Sequence, residues 1–487
     1  MGMEDMGWKV RVVPSAARAP GSSMEPFRSG HGAMRVGTAE RFPRWRGMFS
    51  TRFFREGGPL VRLAIPIAAV LIAATAVQAG NIDYISSRSA DFLRIMSRNA
   101  STEGADLVSF NPAGLSLLPE GWHFNVSTQT LLRRYTVEAT PPGASAPAEY
   151  ESTAPTPILP NVYVVYRKGI VAAFAAFTAP AGDRVDFADG LRALPLIESA
   201  FHDDSYIVSM NSGFFRSTSR YLAGSAGLSV ALTDDLSAAL GLRYTMAERT
   251  LDAEGNFTIS SDLGIPVDTL SRGLHARKTA YGFGAVVGLN YRISPAVNAA
   301  VRYETDTSLD FKTDSERSEW AHTPWLWPEV FENRSRQRRD LPAVLGAGIE
   351  VLSPCRRALV SLSMNCYFLE NANQSECDSY DDNYGNGMDL GLGVRYTATP
   401  RLDLSAGYQY SDLGGSDTTY NDLEFSLDSH FIGAGARYEV SPGLDLTGSV
   451  AKLFCTEGEG AGRFGGSIYN KDIWYFGLGA GLSLPSD

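Results

Sequence analysis

The sequence predicts an all-β fold, a 14-stranded antiparallel transmembrane β-barrel with an N-terminal, partly helical hatch in its lumen. Three observations predict it. From about residue 121 onward, apolar residues alternate with polar or small ones, the period-two signature of strands. The apolar faces run for about ten residues, near the ~9–11 that a tilted strand needs to cross a bilayer, and aromatics sit toward their ends. Short turns alternate with long polar loops, the asymmetry of a membrane barrel.

The composition agrees. The 487 residues carry a formal net charge of −11, with 44 % apolar and 20 % charged side chains. A polytopic helical membrane protein is excluded, because the one long apolar run, Leu63–Val77, has 15 residues where a spanning helix needs ~20. An acidic chain lacks the positive field that neutralises phosphates, so nucleic acid is not an expected partner. Four cysteines in so long a chain do not make a disulfide scaffold.

Residues 1–47 hold eight basic and four acidic residues without a hydrophobic period, and are expected to be a disordered or mis-started extension. Residues 48–79 read as a signal peptide: Arg52, Arg55 and Arg62 precede the apolar run, and Val77-Gln78-Ala79 supplies small residues for cleavage after Ala79. The expected mature chain, 80–487, then holds 32 basic and 49 acidic residues.

Residues 80–120 form the expected hatch. Ser89–Asn99 is compatible with a short helix, and Asn111-Pro112-Ala113-Gly114 with a turn, since proline removes a donor and restrains its predecessor. A segment of this length before a barrel fits most economically inside the lumen.

Residues 121–487 form the barrel. The expected strands are 121–139, 155–168, 169–180, 218–233, 235–252, 277–293, 296–313, 337–353, 357–371, 384–399, 401–413, 425–441, 443–455 and 472–484. An even count places both barrel ends on the periplasmic side. The last strand shows the pattern best: Trp474, Phe476, Leu478, Ala480 and Leu482 oppose Tyr475, Gly477, Gly479, Gly481 and Ser483. Charged residues such as Arg243, Arg302, Arg395, Arg437, Glu304, Glu350 and Asp403 fall on the inward face. The third strand differs, being apolar on both faces from Ile170 to Phe177, which suits an inner face against the hatch or a greasy passage.

Two external loops carry exposed aromatics, which inform more than core aromatics do. Gly182–Ser217 contains Phe214-Phe215, and a loop near residues 314–336 contains Trp320, Trp325, Trp327 and Phe331. Catalytic chemistry is not expected. There is no P-loop and no His-Glu-x-x-His pair, and the neighbours His123/Ser127 and His430/Ser429 need geometry that spacing cannot supply. No cofactor and no metal are expected; the acidic loop Glu376–Asp382 lacks the glycine-spaced order of an EF-hand. The cysteines are expected to be mostly free thiols.

The signal, the helical stretch, the run Ser109-Phe110-Asn111-Pro112-Ala113-Gly114 and the strand count together resemble the FadL/TodX family of outer-membrane hydrophobic-compound transporters, over residues 80–487. Ala179-Pro180-Ala181-Gly182 ending the third strand and Asp340–Pro354 opening the eighth are further matches. The resemblance implies a bacterial outer-membrane location and passive uptake of hydrophobic small molecules, long-chain fatty acids first, aromatic hydrocarbons or alkanes second. It implies a hatch motif at Asn111, Pro112, Ala113 and Gly114, and a lateral opening at Phe174, Phe177, Pro180 and Gly182 of the third strand. Capture would fall to Phe214, Phe215, Trp320, Trp325, Trp327 and Phe331, and contact with a carboxylate head to Arg243, Arg302 and Arg395. The implied partners are outer-membrane lipid, lipopolysaccharide and the barrel-assembly machinery. The chain departs from such barrels in ending Leu484-Pro485-Ser486-Asp487 rather than on the aromatic residue that this machinery reads. The rival readings are a structural or adhesive barrel and a porin for polar solutes.

Overall fold

The alternating segments pair into one antiparallel sheet that closes on itself. The computed structural model describes residues 89–141, 144–199, 201–202, 205–319, 332–373, 384–422, 424–460 and 466–486. The first seven strands are β1 (Gly121–Ala139), β2 (Ala148–Ser152 and Thr156–Lys168), β3 (Val171–Phe187), β4 (Tyr206–Ala231), β5 (Leu236–Ser261), β6 (Pro266–Ser294) and β7 (Val297–Glu304 and Asp310–Ser318). The second seven are β8 (Arg336–Arg338 and Val344–Leu352), β9 (Ala358–Tyr367), β10 (Gly387–Thr399), β11 (Leu402–Asp412), β12 (Ser429–Ser441), β13 (Leu444–Cys455 and Gly458–Gly460) and β14 (Ser467–Pro485). β1 pairs with β2 on one side and with β14 on the other, from Gly121↔Pro485 to Glu138↔Ile468. Every strand thus has two neighbours, the condition under which a sheet can stand in lipid.

The outward face is apolar. Leu240, Leu242 and Tyr244 of β5, Tyr281 and Phe283 of β6, and Trp474, Phe476 and Leu478 of β14 all point away from the lumen, with Phe283 at 72 % and Leu478 at 67 % exposure. So continuous a belt exceeds anything a soluble monomer presents to water and identifies the lipid-facing surface. Tight turns on one rim need a left-handed residue, supplied by Gly169 (φ 58°) between β2 and β3 and Gly443 (φ 81°) between β12 and β13.

β4, β5 and β6 are longer than the expected 218–233, 235–252 and 277–293. Period two continues past the lipid belt, but the outward positions change character: Glu254 and Asn256 suit water, while Ala253, Phe257 and Ile259 stay buried. An expectation tied to a lipid-type face therefore stopped too early. For the same reason Phe214 and Phe215, expected in a loop, lie in β4, and β3 continues to Phe187.

The chain ahead of β1 lies against the inner wall. Helix α1 (Ala90–Leu93) is a single turn, N-capped by Ser89, whose Oγ accepts the Phe92 amide at 3.0 Å. The helix compatible with Ser89–Asn99 does not continue, because Met96 takes a left-handed φ of 56°. Two 3₁₀ turns follow, Ala105–Ser109 and Pro112–Leu117.

A second mass of side chains fills the external mouth. Helix α2 (Ala193–Ser199) contributes Leu194 and Ile197 to an apolar cluster with Phe187, Phe215, Phe257, Phe425 and Tyr469 that reaches down to Phe92, Met96 and Phe110 of the hatch. Within it Arg192 pairs with Asp422 at 3.1 Å, and Asp422 also accepts from the Ser467 and Tyr469 hydroxyls at 2.7 and 2.9 Å. The expected extension 1–47, the signal 48–79, Cys377 and the loop 376–382 lie outside the described residues.

Candidate functional site

The Asn-Pro-Ala-Gly segment is fixed at both ends of its asparagine. Asn111 Oδ1 accepts the Ala113 amide at 3.1 Å, capping the 3₁₀ turn that Pro112 opens, and Nδ2 donates to the Leu289 carbonyl of β6 at 2.9 Å. The Ala113 carbonyl accepts the hydroxyls of Ser229 on β4 and Ser237 on β5, at 3.1 and 2.7 Å. Gly114 passes so close to Ser101 that a Cβ would lie 2.8 Å from its carbonyl oxygen.

On the opposite wall the contact is backbone against glycine. A Cβ at Gly391 or Gly393 of β10, Gly407 of β11 or Gly433 of β12 would overlap the carbonyl oxygens of Met96, Ile95, Ile95 and Leu93 respectively. Charged groups complete the docking. Arg94 pairs with Asp91 at 2.9 Å and donates to Ser405, and Arg98 pairs with Asp106 at 2.7 Å. Glu103 bridges Arg395 of β10 and Arg437 of β12. Burial raises the Glu103 carboxyl, but the two guanidiniums outweigh it and hold it down to about 2.

The hatch separates two spaces. Below it, toward the rim of Pro400 and Gly443, lies a polar cavity of about 370 Å³ that includes Glu103, Asp403 and Arg437. Above it lies a cavity of about 150 Å³, floored by Phe92, Met96 and Phe110 and walled by Thr178 and Pro180 of β3, Arg243, Arg302, Tyr367, Asp389 and Gln409. The Phe92 and Phe110 rings stack at 5.4 Å between centroids.

The wall beside this upper cavity is broken. The β2–β3 ladder runs from Lys168↔Val171 to Val162↔Phe177 and ends there, although both strands continue. Pro157 and Pro160 of β2 and Pro180 of β3 have no amide to donate across the gap. On its other edge β3 kinks: Thr178 pairs Ala223 and Ala181 pairs Tyr221, so two residues, Ala179 and Pro180, oppose the single Leu222. Of the residues that the family resemblance assigned to a lateral opening, Pro180 sits in the bulge, Gly182 just beyond it, and Phe177 at the last rung. Phe174 instead faces the hatch, buried with Leu107, Val108, Leu115 and Leu118, which accounts for the apolar inner face of this strand.

The other expected sites fare differently. Phe215 is buried in the external cluster, while Phe214 is on the opposite face of β4 with the Arg216 guanidinium over its ring. Trp320, Trp325, Trp327 and Phe331 lie outside the described residues. Arg243 and Arg302 come together at the upper cavity, both paired with Glu304, at 2.7 and 3.2 Å; Arg302 also donates to the Ser109 carbonyl. Arg395 is apart from them, with Glu103. His123 contacts Ser483 and the Pro119 carbonyl rather than Ser127, and His430 faces outward against Tyr408 while Ser429 faces inward. Among the described residues, Cys355, Cys366 and Cys455 form no disulfide. Asp389 shares the inward face of β10 with Gly391, Gly393 and Arg395, and nothing in the alternation sets it apart from other lumenal polar residues.

These features define a membrane-spanning β-barrel plugged by its own N-terminal segment and broken on one side above the plug. The fold is that of the FadL/TodX outer-membrane proteins. The chain is similar in structure to a FadL homologue of Pseudomonas aeruginosa, with 14 % identity and a TM-score of 0.62 over 83 % of this chain and 100 % of that one. It is likewise similar to the toluene transporter TodX of P. putida, with 13 % identity and a TM-score of 0.55 over 83 % and 100 %. For the toluene transporter TbuX of Ralstonia pickettii the identity is 15 % and the TM-score 0.53, over 81 % and 98 %. No protein-family model and no curated protein matches the chain.

Proposed function

We propose that this protein is an outer-membrane conduit for passive uptake of hydrophobic compounds, which enter from the external cluster, occupy the cavity above the hatch and leave sideways into the bilayer. One observation carries the reading: Thr178 and Pro180, at the end of the β2–β3 ladder, are themselves walls of that cavity. An apolar molecule moving from cavity to lipid keeps its surface out of water throughout, at roughly 25 cal/mol per Å². Two of the structurally similar proteins are toluene transporters, which points the same way.

The size of the cavity, about 150 Å³, favours single-ring compounds, since an apolar cavity of about this volume accepts benzene. Long-chain fatty acids are the second reading. For them the carboxylate must displace Glu304 from Arg243 and Arg302, and the hatch must shift to lengthen the space. The hatch and the packed mouth count against a polar-solute porin.

The test is mass spectrometry of hydrophobic molecules that co-purify with the membrane-extracted barrel, against detergent and an unrelated barrel. An enriched aromatic or alkyl compound supports uptake, and its mass separates the two substrate readings. No enrichment, together with no uptake of toluene or oleate into cells that express the barrel, would leave an adhesive or structural role.

A further inference from the structure

The upper cavity contains a carboxylate with one oxygen uncommitted. Asp389 of β10 is 3 % exposed. Its Oδ2 accepts the Tyr367 hydroxyl at 2.6 Å, while its Oδ1 has no hydrogen-bond partner among the described residues. The residues beside it in the ladder do not donate to that oxygen. Asn365, its partner on β9, accepts from Asn99 of the hatch at 2.9 Å, and Ser411, its partner on β11, accepts from Gln409 at 2.8 Å. The nearest arginine in the same row, Arg302, is three strands away, roughly 14 Å at the usual strand spacing, and is held by Glu304. A buried carboxylate oxygen is costly unless a donor reaches it.

Building on the uptake reading, we propose that Asp389 is a specificity residue of this cavity and that the preferred cargo is a single-ring compound bearing a hydrogen-bond donor, a phenol rather than a plain hydrocarbon or a carboxylate. The ring lies on the apolar floor of Phe92, Met96 and Phe110, and its hydroxyl donates to Asp389 Oδ1 after a small rotation of that side chain uncovers the oxygen, which has almost no open surface as it stands. A hydroxyl-to-carboxylate bond is charge-assisted and among the stronger kinds. A benzoate would instead bring a second negative charge to Asp389 and be disfavoured.

The test compares binding of phenol, anisole, toluene and benzoate to the full barrel in nanodiscs, with empty nanodiscs subtracted, for the wild type and Asp389→Asn. Phenol should bind at least about tenfold more tightly than anisole, which keeps the ring and oxygen but cannot donate. Asp389→Asn keeps an acceptor for Tyr367; it should erase most of the phenol preference, leave toluene unchanged and improve benzoate. Equal binding of phenol and anisole by the wild type overturns the proposal whether or not the variant folds. A preference that survives Asp389→Asn also overturns it. If toluene binds without discrimination, only this inference fails. If none of the four binds, the single-ring form of the uptake reading falls with it, and only the long-chain fatty-acid form remains.

Discussion

The two sides of the barrel hold the hatch in different ways. On β10, β11 and β12 the wall offers glycine, and the hatch backbone comes within direct contact of it. On β3 the wall offers side chains, Ala172 and Phe174 against Leu107 and Leu115, and a few residues further up it loses its ladder to β2. The seams differ too. β1 and β14 pair through eighteen consecutive residues, whereas β2 and β3 pair through seven. The first side cannot yield without expelling the hatch. The second has lost its ladder to β2 above it. The anchor and the proposed exit are therefore separate parts of one wall, and substitutions should separate them.

The largest effect is expected on the anchor. Gly407→Val and Gly433→Val each place a side chain where a hatch carbonyl lies, so the hatch must leave. Overpacking of this kind costs ~1–3 kcal/mol or more where neighbours cannot move. The barrel should still insert, and planar-bilayer recordings should show steady conductance that the wild type lacks. Gly448→Val, where a Cβ meets nothing within 4 Å, is the control and should remain closed. Closed Gly407→Val and Gly433→Val barrels would mean the glycine contact anchors nothing.

The next effect is on the exit. Deleting Pro180 makes the bulge one residue against one and lets β3 regain register with β4. Uptake of a labelled aromatic should fall about tenfold or more while heat-modifiability on gels remains that of a folded barrel. Undiminished uptake would move the route to the periplasmic side.

Much of this was legible beforehand, and the limit is physical. Strand positions follow from alternation because lipid and lumen select opposite residue types, and the inward glycines were visible opposite Leu390, Leu392 and Tyr408. What alternation cannot report is where a ladder stops. The break beside Val162 and Phe177 depends on three-dimensional divergence of two strands, of which Pro157, Pro160 and Pro180 are only partial signs. Nor could it tell paired from unpaired inward charges. Arg243, Arg302 and Glu304 all fall on the inward face, but only their geometry shows that Glu304 holds both arginines, and only geometry leaves one oxygen of Asp389 without a partner among the described residues.

A smaller effect is expected from Glu103→Gln, which removes the hatch carboxylate from Arg395 and Arg437. Glu103 is partly accessible from the lower cavity, so the loss should be about 1 kcal/mol. Acid should reproduce it. The carboxyl is held down to about 2 against 4.5 in its ordinary state, so its contribution is complete above about pH 4.5 and is lost as pH falls toward about 2. A cysteine at Thr102 should then label faster with an impermeant thiol reagent in Glu103→Gln than in wild type at neutral pH, and the denaturation midpoints of the two barrels should converge as pH falls toward about 2. Equal labelling at neutral pH would show that the glycine contacts alone hold this edge.

The smallest effect tests the β4–β5 side of the hatch, between anchor and exit. The Ala113 carbonyl accepts the wall hydroxyls of Ser229 and Ser237 and, at 3.2 Å, that of Ser116 within the hatch; in a Ser116→Ala background the two wall hydroxyls remain, and either alone keeps it satisfied. Ser229→Ala or Ser237→Ala should therefore cost only about 0.5 kcal/mol, below the ~1 kcal/mol of a typical hydrogen bond. In the same Ser116→Ala background the double variant leaves a buried carbonyl without any of its three hydroxyl donors and should cost about 1–3 kcal/mol, more than the sum. Chemical denaturation of the refolded barrel, read as hatch release through the Thr102 cysteine, measures all three. Strict additivity would mean that the Asn-Pro-Ala turn rests on this wall without being held by it. The surplus in the double variant would instead make this turn a second anchor, placed to keep the floor of the upper cavity fixed beside the wall that lacks its β2–β3 ladder.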